Sequence, residues 1–139
     1  MVQPETRLHR RVNAHLPGWV HAEKTNNPYR AAMPDFYYEG PGVVAWIEYK
    51  NLAAWPVRAT TPVSVAKHCS KRTWPRQRIW LGRAHRNGVL AAVFFGVPGG
   101  VAVLDSPALW EREWLRSEMN LVSEAEAAGW LTTKLEGRR

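Results

Sequence analysis

The fold is decided by residues 33–50, which read MPDFYYEGPGVVAWIEYK. The centre of this stretch, Gly40-Pro41-Gly42, is a strong turn signal. The runs on either side, Phe36-Tyr37-Tyr38 and Val43-Val44-Ala45-Trp46-Ile47, contain the aromatic and β-branched residues that pleated strands prefer. The stretch therefore predicts a β-hairpin.

The predicted hairpin brings two acidic residues together. If the chain folds about the Pro41-Gly42 bond, the numbers of facing residues add up to eighty-three, and Asp35 lies opposite Glu48. Directly facing Cβ atoms are about 5 Å apart, and like charges at that distance repel unless a positive charge lies between them. Alternate strand residues share a face, so Lys50 lies on the same side as Glu48.

These three residues predict a metal-dependent hydrolytic site. Mg²⁺ (or Mn²⁺) suits it, because magnesium binds through one or two carboxylates, keeps several waters and accepts phosphate oxygens as ligands. We expect Asp35, Glu48 and the backbone carbonyl of Tyr49 to hold the ion, which polarises a phosphodiester and lowers the pKa of a bound water. Lys50 would orient that water or stabilise the developing charge. The alternative is a surface hairpin with a cross-strand pair between a lysine and a carboxylate.

The same residues resemble a known signature. Pro34-Asp35 with Glu48-Tyr49-Lys50 resembles the PD-(D/E)xK motif of the restriction-endonuclease-like nuclease superfamily. The surrounding residues are similar to those of small phage VRR-NUC-type nucleases, a group that includes Holliday-junction resolvases. The resemblance implies an α/β fold with an αβββαβ core, in which helices flank a mixed central sheet.

The resemblance also implies two further site residues. Glu5 lies on the first predicted helix, where related nucleases carry an acid that completes the metal site. Gln77, followed by Trp80, matches a Gln-x-x-Trp element on the second helix, and its amide would hydrogen-bond a water or a phosphate. The alternatives are an ordinary acid in a first helical turn, which the helix dipole favours, and a solvent-facing glutamine.

The order of predicted elements agrees with this core. The pattern predicts a single domain over 1–139, with a core over about 4–105, a long loop over 52–70, and a C-terminal helical extension over about 106–139 that packs on the sheet or forms a dimer contact. The predicted elements are a helix Pro4–Leu16, a strand Trp19–Lys24, the hairpin, a helix with Thr73 as N-cap that Asn87-Gly88 closes, a strand Val89–Val97, an antiparallel strand Val101–Leu104, and helices Pro107–Met119 and Glu124–Trp130.

Charge points to a nucleic-acid partner. The chain has 19 Lys plus Arg against 12 Asp plus Glu, and the stretch from Asn51 to Leu104 has eight basic residues and no acid. Such a block attracts a polyanion, although a solvated basic helix face is the alternative. The predicted DNA contacts are Lys67, Lys71, Arg72, Arg76 and Arg78 in the basic block, with Lys24, Arg30 and Asn51 near the metal.

Several function classes are excluded by what the sequence lacks. Cys69 is the only cysteine, so no intrachain disulfide forms, and we expect a cytoplasmic protein. We find no membrane-spanning apolar run and no glycine-rich phosphate motif, so we expect neither a membrane nor a nucleotide cofactor. Eight tryptophans are many for this length, and Trp46, Trp80, Trp110 and Trp114 are predicted core residues, with Trp55 and Trp74 as candidates for base stacking.

The sequence thus predicts a Mg²⁺- or Mn²⁺-dependent endodeoxyribonuclease. The resemblance adds branched DNA such as a Holliday junction as substrate, a phage origin, and hence the bacterial host cytoplasm as location. Symmetric cutting of two strands requires a homodimer. Three alternatives remain open at this stage: a nuclease acting on linear duplex DNA, an RNA nuclease, and a non-catalytic basic module for DNA binding or assembly.

Overall fold

Five strands form one sheet in the order β1-β2-β3-β4-β5. The structure is a computed structural model that describes residues 4–25, 33–68 and 72–137. Within these ranges the elements are, in chain order, α1 (Pro4–Asn13), β1 (His21–Lys24), β2 (Phe36–Gly40), β3 (Val43–Asn51), α2 (Val65–His68), α3 (Trp74–Arg86), β4 (Leu90–Val97), β5 (Gly100–Leu104), α4 (Pro107–Glu111), a 3₁₀ turn (Arg116–Glu118) and α5 (Glu124–Leu135).

The hairpin has the predicted register. Phe36 pairs with Ile47 and Gly40 pairs with Val43, so facing residue numbers add up to eighty-three as expected. Gly42 has a φ of 78°, a left-handed conformation that glycine adopts without strain. β3 and β4 pair in parallel, while the other three strand pairs are antiparallel. The predicted mixed sheet is confirmed.

Each face of the sheet packs against its own set of helices. One face, here called the α1 face, buries side chains of β2, β3 and β4 against α1 and α5; its members include Phe36, Tyr38, Ile47, Tyr49, Leu8, Val12, Leu131 and Leu135. The other, the α3 face, buries Val93 and Phe95 of β4 against Leu81 of α3 and Trp110 of α4. A strand alternates its side chains between the two faces, so residue parity decides where each side chain lies.

Most of the predicted helices and strands are present, with shifted ends. α1 ends at Asn13 and not at Leu16, and β1 begins at His21 and not at Trp19. α3 follows Thr73 and ends before Asn87-Gly88, as predicted. β5 returns antiparallel to β4, also as predicted.

The predicted helix Pro107–Met119 is wrong. α4 ends at Glu111 because Arg112 is extended, with φ −70° and ψ 144°. Two residues later, Trp114 exchanges backbone hydrogen bonds with Val63, at 2.7 and 2.8 Å. A partner far along the chain therefore replaces the helical hydrogen bonds here.

The loop predicted over 52–70 is mostly exposed in its described part, residues 52–68, and only Leu52 and residues 63–65 are buried. Val63 and Val65 are buried, and the four-residue helix α2 follows. The backbone amide of Leu52 donates to the carbonyl of Gly96, at 2.7 Å. Leu52, Val63 and Val65 therefore belong to the core on the α3 face, whereas the residues between Leu52 and Val63 are exposed or only partly buried.

The C-terminal extension packs on the sheet, which was one of its two expected roles. α5 runs to Leu135, five residues beyond the predicted end, and contributes four buried side chains to the α1 face. Gly40 lies so close to Leu135 that an added Cβ atom would be 2.4 Å from the Leu135 carbonyl oxygen. Among the described residues, no helix combines the length and apolarity needed to cross a lipid bilayer.

Candidate active site

Asp35 and Glu48 hold each other in place at the end of the hairpin. The backbone amide of Asp35 donates to Glu48 Oε1 at 2.8 Å. The backbone amide of Tyr49 donates to Asp35 Oδ2 at 3.1 Å. Each carboxylate is thus anchored by the backbone of the opposite strand, which fixes both side chains with little freedom of rotation.

Lys50 completes a compact group with these acids. Lys50 Nζ lies 3.0 Å from Glu48 Oε2, and the two side chains are 7% and 1% exposed. Glu48 pairs with Val93 of β4, and Lys50 pairs with Phe95, so both lie on the α3 face. The structure therefore brings together the three residues that the sequence placed on one face.

Burial makes ionisation of the acids in this group costly in free energy. Burial, and then the negative charge of Asp35, raise the pKa of Glu48 to about 8, although Lys50 lowers it. Burial also raises the pKa of Asp35, while the hydrogen bond from Tyr49 and the charge of Lys50 lower it. Two neighbouring carboxylates share one lysine, so one further positive charge is needed before both can ionise easily.

This donor set fits a divalent cation that takes few protein ligands. Among the described residues, no three His, Cys, Asp or Glu side chains cluster closely enough to bind a metal by themselves. Mg²⁺ needs only one or two carboxylates, because it keeps several waters and takes phosphate oxygens. The carboxylates of the buried Glu48 and the partly buried Asp35, both with raised pKa values, therefore match Mg²⁺ or Mn²⁺ better than a metal that requires a full cage of side chains.

The backbone carbonyl of Tyr49 lies on the edge of β3 that faces Asp35. In a strand, the amide and the carbonyl of one residue point to the same neighbour. The amide of Tyr49 donates to Asp35, so its carbonyl also points towards the Asp35 side of β3. The role of this carbonyl as a metal ligand stays a prediction.

Glu5 lies near this group but does not form a close cluster of three acids with Asp35 and Glu48. It is half-exposed in the first turn of α1, one turn before the buried residues Leu8 and His9. Its negative charge is the smallest of the causes that shift the pKa of Asp35. The role of Glu5 as a metal ligand stays a prediction.

Gln77 is buried and not solvent-facing. It is 6% exposed on α3, the helix that covers the face carrying Glu48 and Lys50. Its Oε1 atom has no hydrogen-bond partner among the described residues. A buried amide oxygen without a partner costs free energy, and such groups often serve a ligand.

The predicted DNA contacts differ in their surroundings: some are paired with acids, some are exposed, and some lie outside the described residues. Lys67 Nζ lies 2.8 Å from Glu113, and Arg78 Nη1 lies 3.2 Å from Glu111, so acids of the C-terminal region balance these two charges. Arg76 is exposed in the first turn of α3, and Arg72 is exposed two residues before that helix begins. Arg30 and Lys71 lie outside the described residues.

Two other predicted contacts lie on the opposite face from the carboxylates. Lys24 pairs with Phe36, whose ring packs on the α1 face, and paired residues share a face. Asn51 has the parity of Tyr49 and borders a cavity of about 490 Å³ beside Arg7 and Arg11. The side chains of Lys24 and Asn51 therefore lie on the opposite face of the sheet from the side chain of Lys50.

The sequence misassigned several aromatic residues of the α3 face. Trp74, a candidate for base stacking, is 2% exposed and belongs to the core. Trp46 and Trp80, predicted as core, are only partly buried; the ring of Trp46 contacts those of Tyr37 and Trp80. The parity of Tyr37 and Trp46, which matches that of Asp35 and Glu48, was the signal for their position.

Comparison with known proteins supports the fold. No protein-family model matches the chain, and no curated protein matches it significantly. Among solved structures it is similar to Hjc from Archaeoglobus fulgidus, described as a Holliday junction resolvase from an archaeal hyperthermophile. The TM-score is 0.57 and the identity 18%, over 91% of this chain and 97% of that one.

The chain thus has the restriction-endonuclease-like α/β fold that its hairpin motif implied. The finer resemblance to phage VRR-NUC-type nucleases stays a prediction.

Proposed function

We propose that this protein is a divalent-metal-dependent endodeoxyribonuclease that cleaves branched DNA. The observation that supports the proposal most directly is the compact group formed by the buried Glu48 and Lys50 with the partly buried Asp35. A hairpin without a hydrolytic role has no need to hold a buried and a partly buried carboxylate side by side, because that arrangement costs stability.

Each residue of the group has a proposed role. Asp35 and Glu48, with the Tyr49 carbonyl and Glu5, would hold Mg²⁺ or Mn²⁺. The cation, when bound, supplies positive charge to the carboxylates and the phosphate and makes a bound water more acidic. Lys50 stabilises negative charge that develops on the phosphate oxygens. The buried Oε1 of Gln77 can accept a hydrogen bond from a bound water, and its side-chain NH₂ group can donate to a phosphate oxygen.

DNA as substrate is supported by charge. Arg76 is exposed on α3, the helix that covers the face carrying Glu48, Arg72 is exposed just before this helix, and the chain carries a formal net charge of +7. Cations in such a position attract the phosphate backbone without regard to sequence. Branched DNA is the first substrate to test, because the similar solved structure is described as a Holliday junction resolvase. Cutting two strands of a junction requires two active sites, so we propose a homodimer.

The test is a cleavage assay on defined DNA. Purified protein is incubated with a four-way junction, a flap, a duplex and a single strand, with Mg²⁺, with Mn²⁺ and with chelator. We expect cleavage only with metal, fastest on branched DNA, and Asp35→Ala should abolish it while keeping most of the binding. RNA hairpins in parallel separate a deoxyribonuclease from an RNA nuclease.

A matched control variant accompanies this cleavage assay. Asp105→Asn removes an exposed carboxylate that follows β5, two strands away from Glu48, and should cleave like the wild type. If wild-type protein binds DNA but cuts none under any metal condition, the chain is a binding module and the proposal is wrong. If it cuts linear duplex as fast as a junction, the branched substrate is wrong and the nuclease assignment stands.

A further inference from the structure

Three aromatic side chains form a continuous row on the α3 face. The ring centroids of Tyr37 and Trp46 are 5.2 Å apart, and those of Trp46 and Trp80 are 5.5 Å apart. The guanidinium carbon of Arg83 lies 4.6 Å from the ring centroid of Trp80. Tyr37, Trp46 and Trp80 are here called the aromatic row, and Arg83 caps it at the α3 end.

The aromatic row begins next to the candidate active site. Tyr37 pairs directly with Trp46, and the next pair on the same face is Asp35 with Glu48. Two residues along a strand correspond to about 7 Å. A base stacked on Tyr37 or Trp46 would therefore neighbour a phosphodiester held by the two carboxylates.

The aromatic row is partly open to solvent. α3 covers the sheet over β3 and β4, whereas α5 packs on β2 from the α1 face. All three members of the row are only partly buried, and Glu39, next on β2 on the α3 face, is exposed. Aromatic rings with an open side next to polar residues differ from the closed core that surrounds Trp74 and Trp110.

Positive charge runs along one side of the aromatic row. Arg76, Trp80 and Arg83 are spaced by four and three residues on α3 and therefore form one stripe. Neither arginine forms an ion pair with another described residue. On the outer side, Glu23 and Glu39 border Tyr37. This asymmetry favours a strand whose phosphates follow α3 while its bases turn towards the aromatic row.

We infer that the aromatic row stacks an unpaired base of a DNA strand whose phosphodiester lies at the Asp35–Glu48 pair. The inference rests on the proposed nuclease function and specifies its substrate. A duplex or a fully paired junction must unstack a base before it can use the aromatic row, whereas a flap or a single strand offers an unpaired base without that cost. The protein therefore selects DNA that is unpaired beside the cleaved bond.

The first experiment compares two substitutions at one position, with chelator present so that no DNA is cut. Tyr37→Leu removes the ring, and Tyr37→Phe keeps it without the hydroxyl. We expect Tyr37→Leu to bind single-stranded DNA about 10-fold more weakly, as the loss of one stacked base predicts, and Tyr37→Phe to bind as wild type does. Duplex binding should change in neither. Trp19→Leu, which removes a 44% exposed tryptophan outside the aromatic row, is the control.

The second experiment uses the unmodified protein and does not depend on the folding of a variant. DNA carrying 5-iododeoxyuridine at the unpaired position is irradiated in the complex, and the crosslinked residue is identified by mass spectrometry. We expect the crosslink on Tyr37, Trp46 or Trp80. Crosslinks that all map elsewhere would overturn the inference.

The outcomes separate this inference from the proposed function. Cleavage by the wild type, together with equal single-strand binding by Tyr37→Leu, would overturn the aromatic row as a stacking site and leave the nuclease intact. Weaker single-strand binding without any cleavage would support the stacking site and reject the nuclease. A shift in dimerisation of Tyr37→Leu, measured by light scattering with unchanged DNA affinity, would identify the aromatic row as a contact between two copies and overturn the inference.

Discussion

Lys50 and Glu48 form an ion pair inside the protein, with 3.0 Å between Nζ and Oε2. A second acid affects this pair, because the negative charge of the neighbouring Asp35 raises the pKa of Glu48. One ammonium group thus serves two acids, of which Glu48 is buried and Asp35 partly buried. This imbalance underlies the first two predictions.

Replacing Lys50 by Met should separate catalysis from binding. Met has a similar length but no charge, so it removes the group proposed to stabilise charge on the phosphate. We expect the cleavage rate to fall by about 100-fold or more, with DNA affinity in chelator within about threefold of wild type. Lys67→Met, which removes an exposed lysine paired with Glu113, should leave the rate nearly unchanged. Equal rates for wild type and Lys50→Met would refute this role.

Metal binding should strengthen as pH rises towards 8. Glu48 has a pKa raised to about 8, so below that pH a proton occupies the carboxylate that the cation needs. At a fixed subsaturating Mg²⁺ concentration, the rise in melting temperature caused by the metal should grow between pH 6 and pH 8. Glu48→Gln should show no such metal-dependent rise at any pH. A wild-type metal effect of the same size at pH 6 and pH 8.5 would contradict the prediction.

Gln77→Leu should stabilise the protein while reducing cleavage. The buried Oε1 of Gln77 has no partner among the described residues, and an apolar side chain of similar size avoids that cost. We expect the free energy of unfolding to rise by about 1 kcal/mol and cleavage to fall about 10-fold. Urea unfolding and the cleavage assay measure the two effects. A purely structural glutamine would show lower stability without a specific loss of rate.

Arg76 and Arg78 should differ in DNA binding although they lie two residues apart. Arg78 is held by Glu111 at 3.2 Å, whereas Arg76 forms no ion pair with another described residue. We expect Arg76→Ala to weaken binding and to lower the slope of log affinity against log salt by about one, with a smaller effect of Arg78→Ala. Fluorescence anisotropy at several salt concentrations gives both slopes. Identical slopes for the two variants would show that the ion pair does not withhold Arg78 from DNA.

His9 should make the protein less stable in mild acid. Its ring packs 4.7 Å from that of Phe36, neither ring nitrogen has a partner among the described residues, and burial followed by the charges of Lys24 and Arg10 lowers its pKa to about 4. The unfolded chain takes up a proton near pH 6.5, but the folded chain resists it until about pH 4, so stability falls as pH drops between these values.

A pH series on His9→Leu isolates this effect. The free energy of unfolding of the variant minus that of wild type should increase from pH 7 to pH 4, by at most about 3 kcal/mol. All other titrating groups are common to both proteins and cancel in the difference. A difference that does not change with pH would show that His9 is protonated as easily in the folded state as in the unfolded chain.

The sequence by itself determined the hairpin and the meeting of Asp35, Glu48 and Lys50. A tight turn sets the register, and the two-residue period of a strand sets the face, so local rules are sufficient for all three residues. The order of the strands and the main helices along the chain followed in the same way from short-range periodicity. The exact ends of α1 and β1 did not, because caps and neighbouring segments adjust them.

Only the tertiary structure decided what distant segments do to one another. Trp114 ended the predicted helix Pro107–Met119 by pairing with Val63, about fifty residues earlier. Glu111 and Glu113 balance charges that look unopposed along the chain. The burial of Trp74 and Gln77, and the partial exposure of Trp46 and Trp80, depend on where α3 lies over the sheet. Such contacts join residues that are far apart in sequence, and local propensity and periodicity contain no information about them.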